Sequence, residues 1–296
     1  MELRVLNYFL MVAREENITR ASRLLNVTQP TLSRQLMQLE DELGTRLFER
    51  SSHSIILTDA GMLLKRRAQE LVALADKTRR EFTQNDGPMT GELTLGCGEL
   101  QSVRFLTGLL GAFHAEHPLV HFDMYSGNAD NIKDQIERGL LDIGLLLEPV
   151  DIGRYEFLRL PVKEIWGVLV REDSELAQKK YVTPRDMAGV PLMMSKRTMV
   201  RNELSSWFGD LYDKLNIVVS YNLVYNAAVM ASSNGGAILC LKLDSTYEQL
   251  RFVPLYPRLE AGSVLAWKKN QIFSPVATSF IEYAKTCLVG MSDDTK

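Results

Sequence analysis

The sequence has little cysteine, no long apolar run and, within its first 58 residues, no lysine. The three cysteines, Cys97, Cys240 and Cys287, do not indicate a disulfide framework and are typical of a reducing compartment. No stretch approaches the roughly 18 uncharged apolar residues that a membrane-spanning helix needs. The first residues also lack the apolar segment and the small-residue cleavage site of a secretory signal. We therefore expect a cytoplasmic protein that has no membrane partner.

The charge balance alone indicates no polyanionic partner, because the formal net charge is -3 at pH 7. The first 90 residues carry 13 basic and 12 acidic side chains. All seven cations within residues 1–58 are arginine, whose planar guanidinium suits phosphates and guanine edges. A solvated surface of mixed charge would have the same composition. Charge therefore leaves nucleic-acid binding open.

Residues 1–44 have the pattern of short, closely packed helices. Thr19 is a predicted N-cap for one helix, and Thr28 is a predicted N-cap for the next, with Pro30 in its first turn. Gly44 is expected to end that second helix. The spacing 4, 3, 4 predicts its buried face: Leu32, Leu36, Leu39 and Leu43. Two helices joined by so short a turn predict a helix-turn-helix.

Two short arms with the pattern of extended strands, 45–50 and 55–57, flank a polar tip and predict a β-hairpin, which would make the motif a winged helix-turn-helix. The segment 59–88 should hold a longer helix, which stops at the linker residues 84–88. Its side chains at heptad spacing predict a dimerisation seam: Leu64, Ala68, Leu71, Ala75, Thr78 and Phe82. The alternative is an amphipathic helix that packs on its own domain.

From residue 91 onward, predicted strands alternate with predicted helices, which is typical of an α/β fold with ligand crevices at the carboxyl ends of parallel strands. Strands are expected at 93–98, 120–125, 142–147, 164–171, 191–195, 217–221, 237–241 and 262–268.

No motif in the sequence indicates catalysis, so we expect neither an enzyme nor a cofactor. His114, His117 and His121 first suggest a metal cluster, but Pro118 interrupts them and His121 lies in a predicted strand. Cys97 ends the first of those strands and is a candidate redox sensor. A small buried side chain is the favoured interpretation, because no resolving cysteine lies nearby in the sequence.

The first 60 residues or so resemble the winged helix-turn-helix of LysR-type transcriptional regulators. The resemblance rests on segments in matching order and spacing: LNYF at 6–9, ITRAS at 18–22, TQPTLSRQL at 28–36, LE at 39–40, LG at 43–44, LFER at 47–50 and LTDAG at 57–61. It implies a regulator that binds double-stranded promoter DNA as a dimer or a dimer of dimers. It also implies a small-molecule effector and contact with RNA polymerase.

The resemblance divides the chain into a DNA-binding domain (1–58), a linker helix (59–88) and a two-lobed α/β effector domain similar to periplasmic binding proteins. Lobe I is expected at 91–163 and 268–296, and lobe II at 164–267. Arginine and glutamine on the second helix of the motif suit guanine and adenine edges, and hydroxyls suit bases or phosphates. The candidate DNA contacts are Thr28, Gln29, Pro30, Thr31, Ser33, Arg34, Gln38, Arg50, Ser52 and His53.

The wing departs from the family pattern at His53, where many relatives carry a basic residue. Arg50 is therefore the better phosphate contact. Ser22 replaces the second alanine of the family's usual pair and is small enough to preserve close packing.

Loops that follow the predicted strands are the candidate effector site. The residues are Gly98, Glu99, Gln101, Ser102, Ser126, Gly127, Asn128, Ser195, Lys196, Arg197, Thr198 and Asn222. A helix N-terminus together with Lys196 and Arg197 favours an anionic effector, whereas Glu99 opposes one. The other class of function open to such a fold is a small-molecule binding or transport protein. The N-terminal helix-turn-helix and the missing secretory signal argue against that alternative.

Overall fold

The structure, a computed structural model, describes residues 1–50, 55–81 and 88–293. The chain divides into two compact units, Met1–Thr83 and Gln84–Lys296, which are described separately. Within the described residues, no helix combines the length and the apolar character needed to span a bilayer.

The first unit is a helical domain with one hairpin. Its elements are α1 (Leu3–Glu15), α2 (Ile18–Leu24), α3 (Gln29–Leu43), β1 (Phe48–Arg50), β2 (Ile55–Leu57) and α4 (Asp59–Glu81). The two strands pair antiparallel, with Phe48 opposite Leu57 and Arg50 opposite Ile55. The winged helix-turn-helix predicted from the sequence is therefore present. The hairpin tip, 51–54, lies outside the described residues.

The core of this unit forms where α3 packs on α1. Phe9 and Leu32 are fully buried, and Leu36 and Leu39 are nearly so. Leu43, predicted to continue this face, is instead exposed, because it lies in the last turn of α3. The apolar stripe therefore turns the opposite face of α3 outward.

Side-chain caps set the helix boundaries. The Thr28 hydroxyl accepts the backbone N–H of Thr31, and Gly44 ends α3 in the left-handed conformation at φ 64°, as predicted. The cap predicted at Thr19 is wrong. The helix begins at Ile18, two residues earlier than that cap implies, and the Asn17 side chain accepts the N–H of Arg20 at 2.9 Å.

The Glu40 side chain connects α3 to the hairpin through hydrogen bonds. Its Oε1 accepts the backbone N–H groups of Leu47 at 2.7 Å and Phe48 at 3.2 Å. Leu47 and Phe48 are buried, so their N–H groups would otherwise lack an acceptor. The Glu40 carboxylate thus fixes the position of the hairpin relative to α3.

The second unit contains two sheets. The first has the order β4-β3-β5-β13-β6 and the second the order β11-β7-β10-β8-β9, with β12 also paired to β7. The strands are β3 (Gly91–Cys97), β4 (Val120–Ser126), β5 (Ile143–Leu147), β6 (Tyr155–Arg159), β7 (Glu164–Arg171), β8 (Pro191–Ser195), β9 (Asn216–Tyr221), β10 (Ala237–Leu241), β11 (Leu250–Pro254), β12 (Glu260–Ala261) and β13 (Ser263–Lys268). The helices are α5 (Val103–Glu116), α6 (Ala129–Glu137), α7 (Thr198–Phe208), α8 (Val224–Asn234) and α9 (Pro275–Asp293).

The lobe boundary predicted within the strand 262–268 is wrong. That strand, β13, pairs antiparallel with β5 and β6 and therefore lies in the first sheet. The strands β6 and β11 were not predicted, and both sheets mix parallel and antiparallel pairs. The second lobe consequently runs from β7 to β12, and the chain crosses between the lobes twice.

A buried carboxylate lies at the first crossing. Glu164, the first residue of β7, is fully buried and accepts the backbone N–H groups of Gln101 at 2.8 Å and Ser102 at 2.9 Å. These N–H groups precede α5 in the other lobe. The contact joins the base of one lobe to a helix of the other.

Cys97 and Cys240 lie inside the second unit and are not disulfide-bonded. Burial raises the pKa of each thiol to about 12. The thiolate, which is the reactive form, is therefore disfavoured at both positions. This environment is that of a small buried side chain rather than of a redox sensor.

We expect Glu40→Ala to loosen the hairpin, because two buried N–H groups lose their acceptor at a cost of about 1–3 kcal/mol. Hydrogen exchange of the backbone in 44–50 should accelerate by roughly the matching factor, about 5- to 100-fold. Asp41→Ala is the control, since Asp41 is exposed and its side chain has no hydrogen bond within the described residues. Equal exchange in both variants would contradict the role given to Glu40.

We also expect Cys97 and Cys240 to resist alkylation in the native protein. With a pKa of about 12, roughly one thiol in ten thousand is ionised near pH 8. The partly exposed Cys287 is the internal reference. Mass spectrometry after iodoacetamide treatment should find the label on Cys287 first and on the other two only after denaturation. Native labelling of Cys97 at the rate of Cys287 would contradict the account.

Candidate DNA-contacting surface and ligand cleft

The N-terminal half of α3 presents a polar, solvent-facing surface. Thr28, Gln29, Pro30, Arg34 and Gln38 are exposed, and Thr31 and Ser33 are half-buried. This surface lies opposite the leucines that bury α3 against its own domain. The predicted contacts on this helix are thus brought together on one accessible face.

The side chains on this face are partly ordered by one another. The Thr28 and Thr31 hydroxyls lie 2.8 Å apart, and Gln29 Nε2 donates to Ser33 Oγ at 3.5 Å. Arg34 has no ion pair or hydrogen bond within the described part of the chain. By contrast, Arg20 is paired with Glu15 at 2.7 Å. The Arg34 guanidinium is free to bind an external acceptor.

The wing is described only at its base. The backbone of Arg50 pairs with Ile55 in the hairpin, but its side chain is not described. Ser52 and His53 lie outside the described residues. Their predicted roles stay predictions.

The predicted dimerisation seam on α4 needs correction at its first two positions. Ala68 is fully buried in the core of its own unit, and Leu64 packs against the same core. Both side chains thus pack within their own unit. The alternative reading, an amphipathic helix that packs on its own domain, is right for this face. Phe82 lies outside the described residues, Ala75 is half-buried and Thr78 is exposed.

A second apolar side of α4 is exposed. Leu63, Leu71 and Leu74 are 56%, 41% and 39% exposed. With 3.6 residues per turn, their spacing brings them to one side of the helix, next to the buried face. Of the predicted seam, Leu71 is the large apolar side chain that remains available within the described residues.

The ligand cleft lies between the two sheets of the second unit, at the carboxyl ends of parallel strands β3, β4, β8 and β9. Its volume is about 80 Å³. The predicted residues that line it are Gly98, Glu99, Gly127, Asn128, Ser195, Arg197 and Asn222. The strand-end rule therefore located the cleft correctly in both lobes.

Five predicted effector residues do not line the cleft, namely Gln101, Ser102, Ser126, Lys196 and Thr198. Ser102 is fully buried, and its N–H is bound to Glu164. The Gln101 amide donates to Asp244 Oδ1 at 3.2 Å. Lys196 and Thr198 are exposed to solvent.

Other lining residues were missed by sequence reasoning, above all Trp166 and Val224. Trp166 lies near the start of β7, which pairs antiparallel with its neighbours, so the rule for parallel strand ends did not indicate it. Val224 begins α8, and its N–H faces the other lobe. The sequence did offer one signal for Trp166, since its indole N–H is a hydrogen-bond donor within a largely apolar strand.

Two charged side chains line the cleft, one from each lobe. Glu99 follows β3 and accepts the backbone N–H of Val224 across the cleft. Burial raises the pKa of Glu99, against the lowering effect of the backbone N–H groups of Val224 and Tyr225. Arg197 follows β8, and its Nε lies 3.3 Å from Asp130 Oδ2 in the opposite lobe. Opposite charges therefore face one small space.

Two buried donors at the cleft have no acceptor within the described residues. They are Arg197 Nη2 and Trp166 Nε1, which belong to residues that are 6% and 2% exposed. Buried donors of this kind are almost always paired in native proteins. They suit a bound group that carries hydrogen-bond acceptors.

Two of the three histidines noted in the sequence pack against aromatic rings. His117 lies 4.6 Å from the ring of Phe113, and His114 lies 5.8 Å from that of Phe122, measured between ring centroids. Across the described ranges, no group of three or more His, Cys, Asp or Glu side chains is arranged to hold a metal ion.

Both units match known protein families. Residues 3–62 match the family described as bacterial regulatory helix-turn-helix protein, lysR family. Residues 86–288 match the family described as LysR substrate binding domain. The second match alone spans more than half of the chain.

The chain is also similar to bacterial regulators over nearly its whole length. It is 27% identical over 289 residues to the uncharacterized HTH-type transcriptional regulator YybE of Bacillus subtilis (strain 168), which covers 96% of this chain and 98% of YybE. It is 27% identical over 301 residues to the Hca operon transcriptional activator HcaR of Escherichia coli (strain K12), at 99% and 100% coverage. Full-length CbnR, crystallised with its target DNA, has the same fold with a TM-score of 0.76 at 21% identity, covering 97% of this chain and 99% of CbnR. The chain belongs to the LysR family of transcriptional regulators, with a DNA-binding helix-turn-helix unit and an effector-binding unit.

Proposed function

We propose that this regulator acts in the cytoplasm as a dimer or a dimer of dimers on a two-fold promoter site, where a small molecule in the cleft changes how the DNA is held. The observation that carries the DNA-binding half is the exposed polar face of α3, with Arg34 at its centre and without an ion pair to any described residue. CbnR, which has the same fold, was crystallised with its target DNA, and this supports DNA as the partner.

On DNA, the exposed half of α3 enters the major groove, as recognition helices do in this motif. Arg34 reads a base edge, with guanine as the best match, while Gln29, Ser33 and Gln38 contact neighbouring bases. Thr28 and Thr31, at the helix N-terminus, bind a phosphate. Arg50 binds backbone phosphate from the wing, and Ser52 and His53 approach the minor groove.

Self-association uses the exposed side of α4. Leu63, Leu71 and Leu74 form an apolar side that a second copy of the helix would bury. Because Ala68 and Leu64 hold α4 to its own unit, the helix can present this side without unfolding.

The effector occupies the cleft and places a carboxylate or another acceptor group against Arg197. The N-termini of α6, α7 and α8 all lie at this cleft, so their dipoles add to the attraction. Binding shifts the population of lobe arrangements and so alters the spacing or bending of the DNA held by paired subunits. We propose that contact with RNA polymerase follows from that rearrangement, as suits a relative named as an activator.

We expect Arg34→Ala to reduce operator binding far more than binding to scrambled DNA. A bidentate arginine–guanine contact contributes about 1–3 kcal/mol of discrimination, whereas a phosphate contact carries little sequence information. Arg50→Ala should instead weaken both duplexes by similar factors and reduce the salt slope by about one unit per lost contact. Titrations on both duplexes at several salt concentrations measure these effects.

The matched control is Arg4→Ala. Arg4 is an exposed arginine close to the N-terminus of the chain, where the Met1 ammonium contacts Glu42 of α3. This substitution should leave both affinities unchanged. If Arg34→Ala lowers both affinities equally, Arg34 does not read a base.

A charge on the exposed side of α4 should dissociate the oligomer. Leu71→Asp would bury a carboxylate in an apolar interface, whereas Gln69→Asp places the same charge on the opposite side of the helix. Sedimentation should show a folded, smaller species for the first variant and an unchanged assembly for the second. An unchanged assembly in both would remove α4 as the interface.

A further inference from the structure

The charges of the cleft come as an opposed pair. Of the residues that line the cleft, Glu99 and Arg197 are the two that carry a formal charge, and they approach from different lobes. An anionic effector alone would satisfy one of them and meet the other with like charge. The arrangement is therefore not that of a simple anion site.

The Arg197 side of the cleft requires acceptors. The Arg197 side chain is 5% exposed, and Asp130 contacts only its Nε. Its Nη2 and the indole Nε1 of Trp166 lack acceptors within the described residues. A carboxylate has two oxygens and several lone pairs, so it suits a site that offers unpaired donors.

The Glu99 side requires a donor or a cation. One oxygen, Oε2, is occupied by the N–H of Val224. A carboxylate has about four acceptor positions, so it can take further donors from a ligand. A second carboxylate near Glu99 is repelled, whereas an ammonium group is attracted.

The cleft is also small. Its volume of about 80 Å³ is room for roughly five to eight waters, at about 10–15 Å³ of such volume each, which is the size of a ligand with only a few non-hydrogen atoms. Both charged groups of the ligand must therefore lie within a few bonds of each other.

We propose that the cleft selects a compact zwitterion, a ligand with a carboxylate and an ammonium group on the same or adjacent carbons, of which the α-amino acids are the simplest class. The carboxylate binds Arg197 and Trp166, and the ammonium group binds Glu99. Glu99 is then the residue that rejects simple carboxylates. This inference rests on the proposed function in one respect, the placement of the effector in the cleft.

The test measures binding to the full-length protein by calorimetry, with alanine, propionate and ethylamine as probes. Propionate lacks the ammonium group of alanine, and ethylamine lacks the carboxylate. The remaining standard amino acids follow, each alone, up to about 10 mM. The best-binding amino acid should bind at least about tenfold more tightly than its deaminated and decarboxylated counterparts, because each loses one charged contact.

Two variants assign the charges. Glu99→Gln keeps an acceptor for Val224, so the lobes stay joined, but it should weaken amino-acid binding about tenfold and strengthen binding of the simple carboxylate. Arg197→Gln should weaken the binding of both the amino acid and the simple carboxylate. Lys196→Gln is the control, an adjacent cation that is exposed and does not line the cleft, and it should change neither affinity.

The possible failures are distinct. If the simple carboxylate binds as tightly as its amino acid and Arg197→Gln abolishes both, the cleft is the effector site but the zwitterion proposal is wrong. If an amino acid binds and Arg197→Gln leaves its affinity unchanged, the ligand lies elsewhere and the proposed effector site is wrong as well. Absence of binding by every amino acid would also overturn the zwitterion proposal.

Discussion

The effector-binding unit depends on carboxylates of one lobe that accept hydrogen bonds from the other. Glu164 is the deepest of them, fully buried, and it binds two N–H groups ahead of α5. A buried carboxylate without such donors would be strongly destabilising, so the two lobes are held together where the chain first crosses. Three further carboxylates follow the same rule nearer the surface: Glu99 contacts Val224, Asp130 contacts Arg197, and Asp244 contacts Arg104 and Gln101. Because Glu99 and Arg197 also line the cleft, a ligand that binds there must either displace these interlobe hydrogen bonds or add its own to the same side chains. Ligand binding and lobe arrangement are therefore coupled by shared atoms.

The DNA-binding unit is organised by burial rather than by charge. The leucines of α3 pack on α1, and this packing alone sets which side chains of α3 face outward. Glu40, near the C-terminal end of the same helix, then positions the wing by accepting two backbone hydrogen bonds from it. Among the residues that the structure describes, Arg34 has no intramolecular partner, unlike Arg20. A unit with nearly equal numbers of basic and acidic residues can thus present an unpaired cation where a base or phosphate would lie, which the overall charge balance did not indicate.

Local signals in the sequence predicted the local structure well. The Thr28 cap, the Gly44 terminus and the hairpin each follow from residues that interact within a few positions. Apart from the cap placed at Thr19 and the burial expected for Leu43, the errors concern long-range pairing. The strand at 262–268 looks the same in either lobe, and only its pairing with β5 and β6 assigns it to the first. Likewise, heptad spacing on α4 does not distinguish a partner helix from the helix's own domain, and Ala68 faces the latter. At the cleft, the strand-end rule found Glu99 and Arg197, but Trp166 comes from an antiparallel strand that the rule does not cover.

The central claim, that the cleft and the DNA-contacting face belong to one switch, is tested most directly by thermodynamic linkage. The measurement is the affinity of the cleft ligand for the protein alone and for the protein saturated with operator duplex. If the two sites are coupled, the two affinities differ, and the operator affinity changes by the same factor when the ligand is added. The account predicts a difference of about fivefold or more, the lower end of ordinary coupling free energies. Equal ligand affinities for free and operator-bound protein would contradict it.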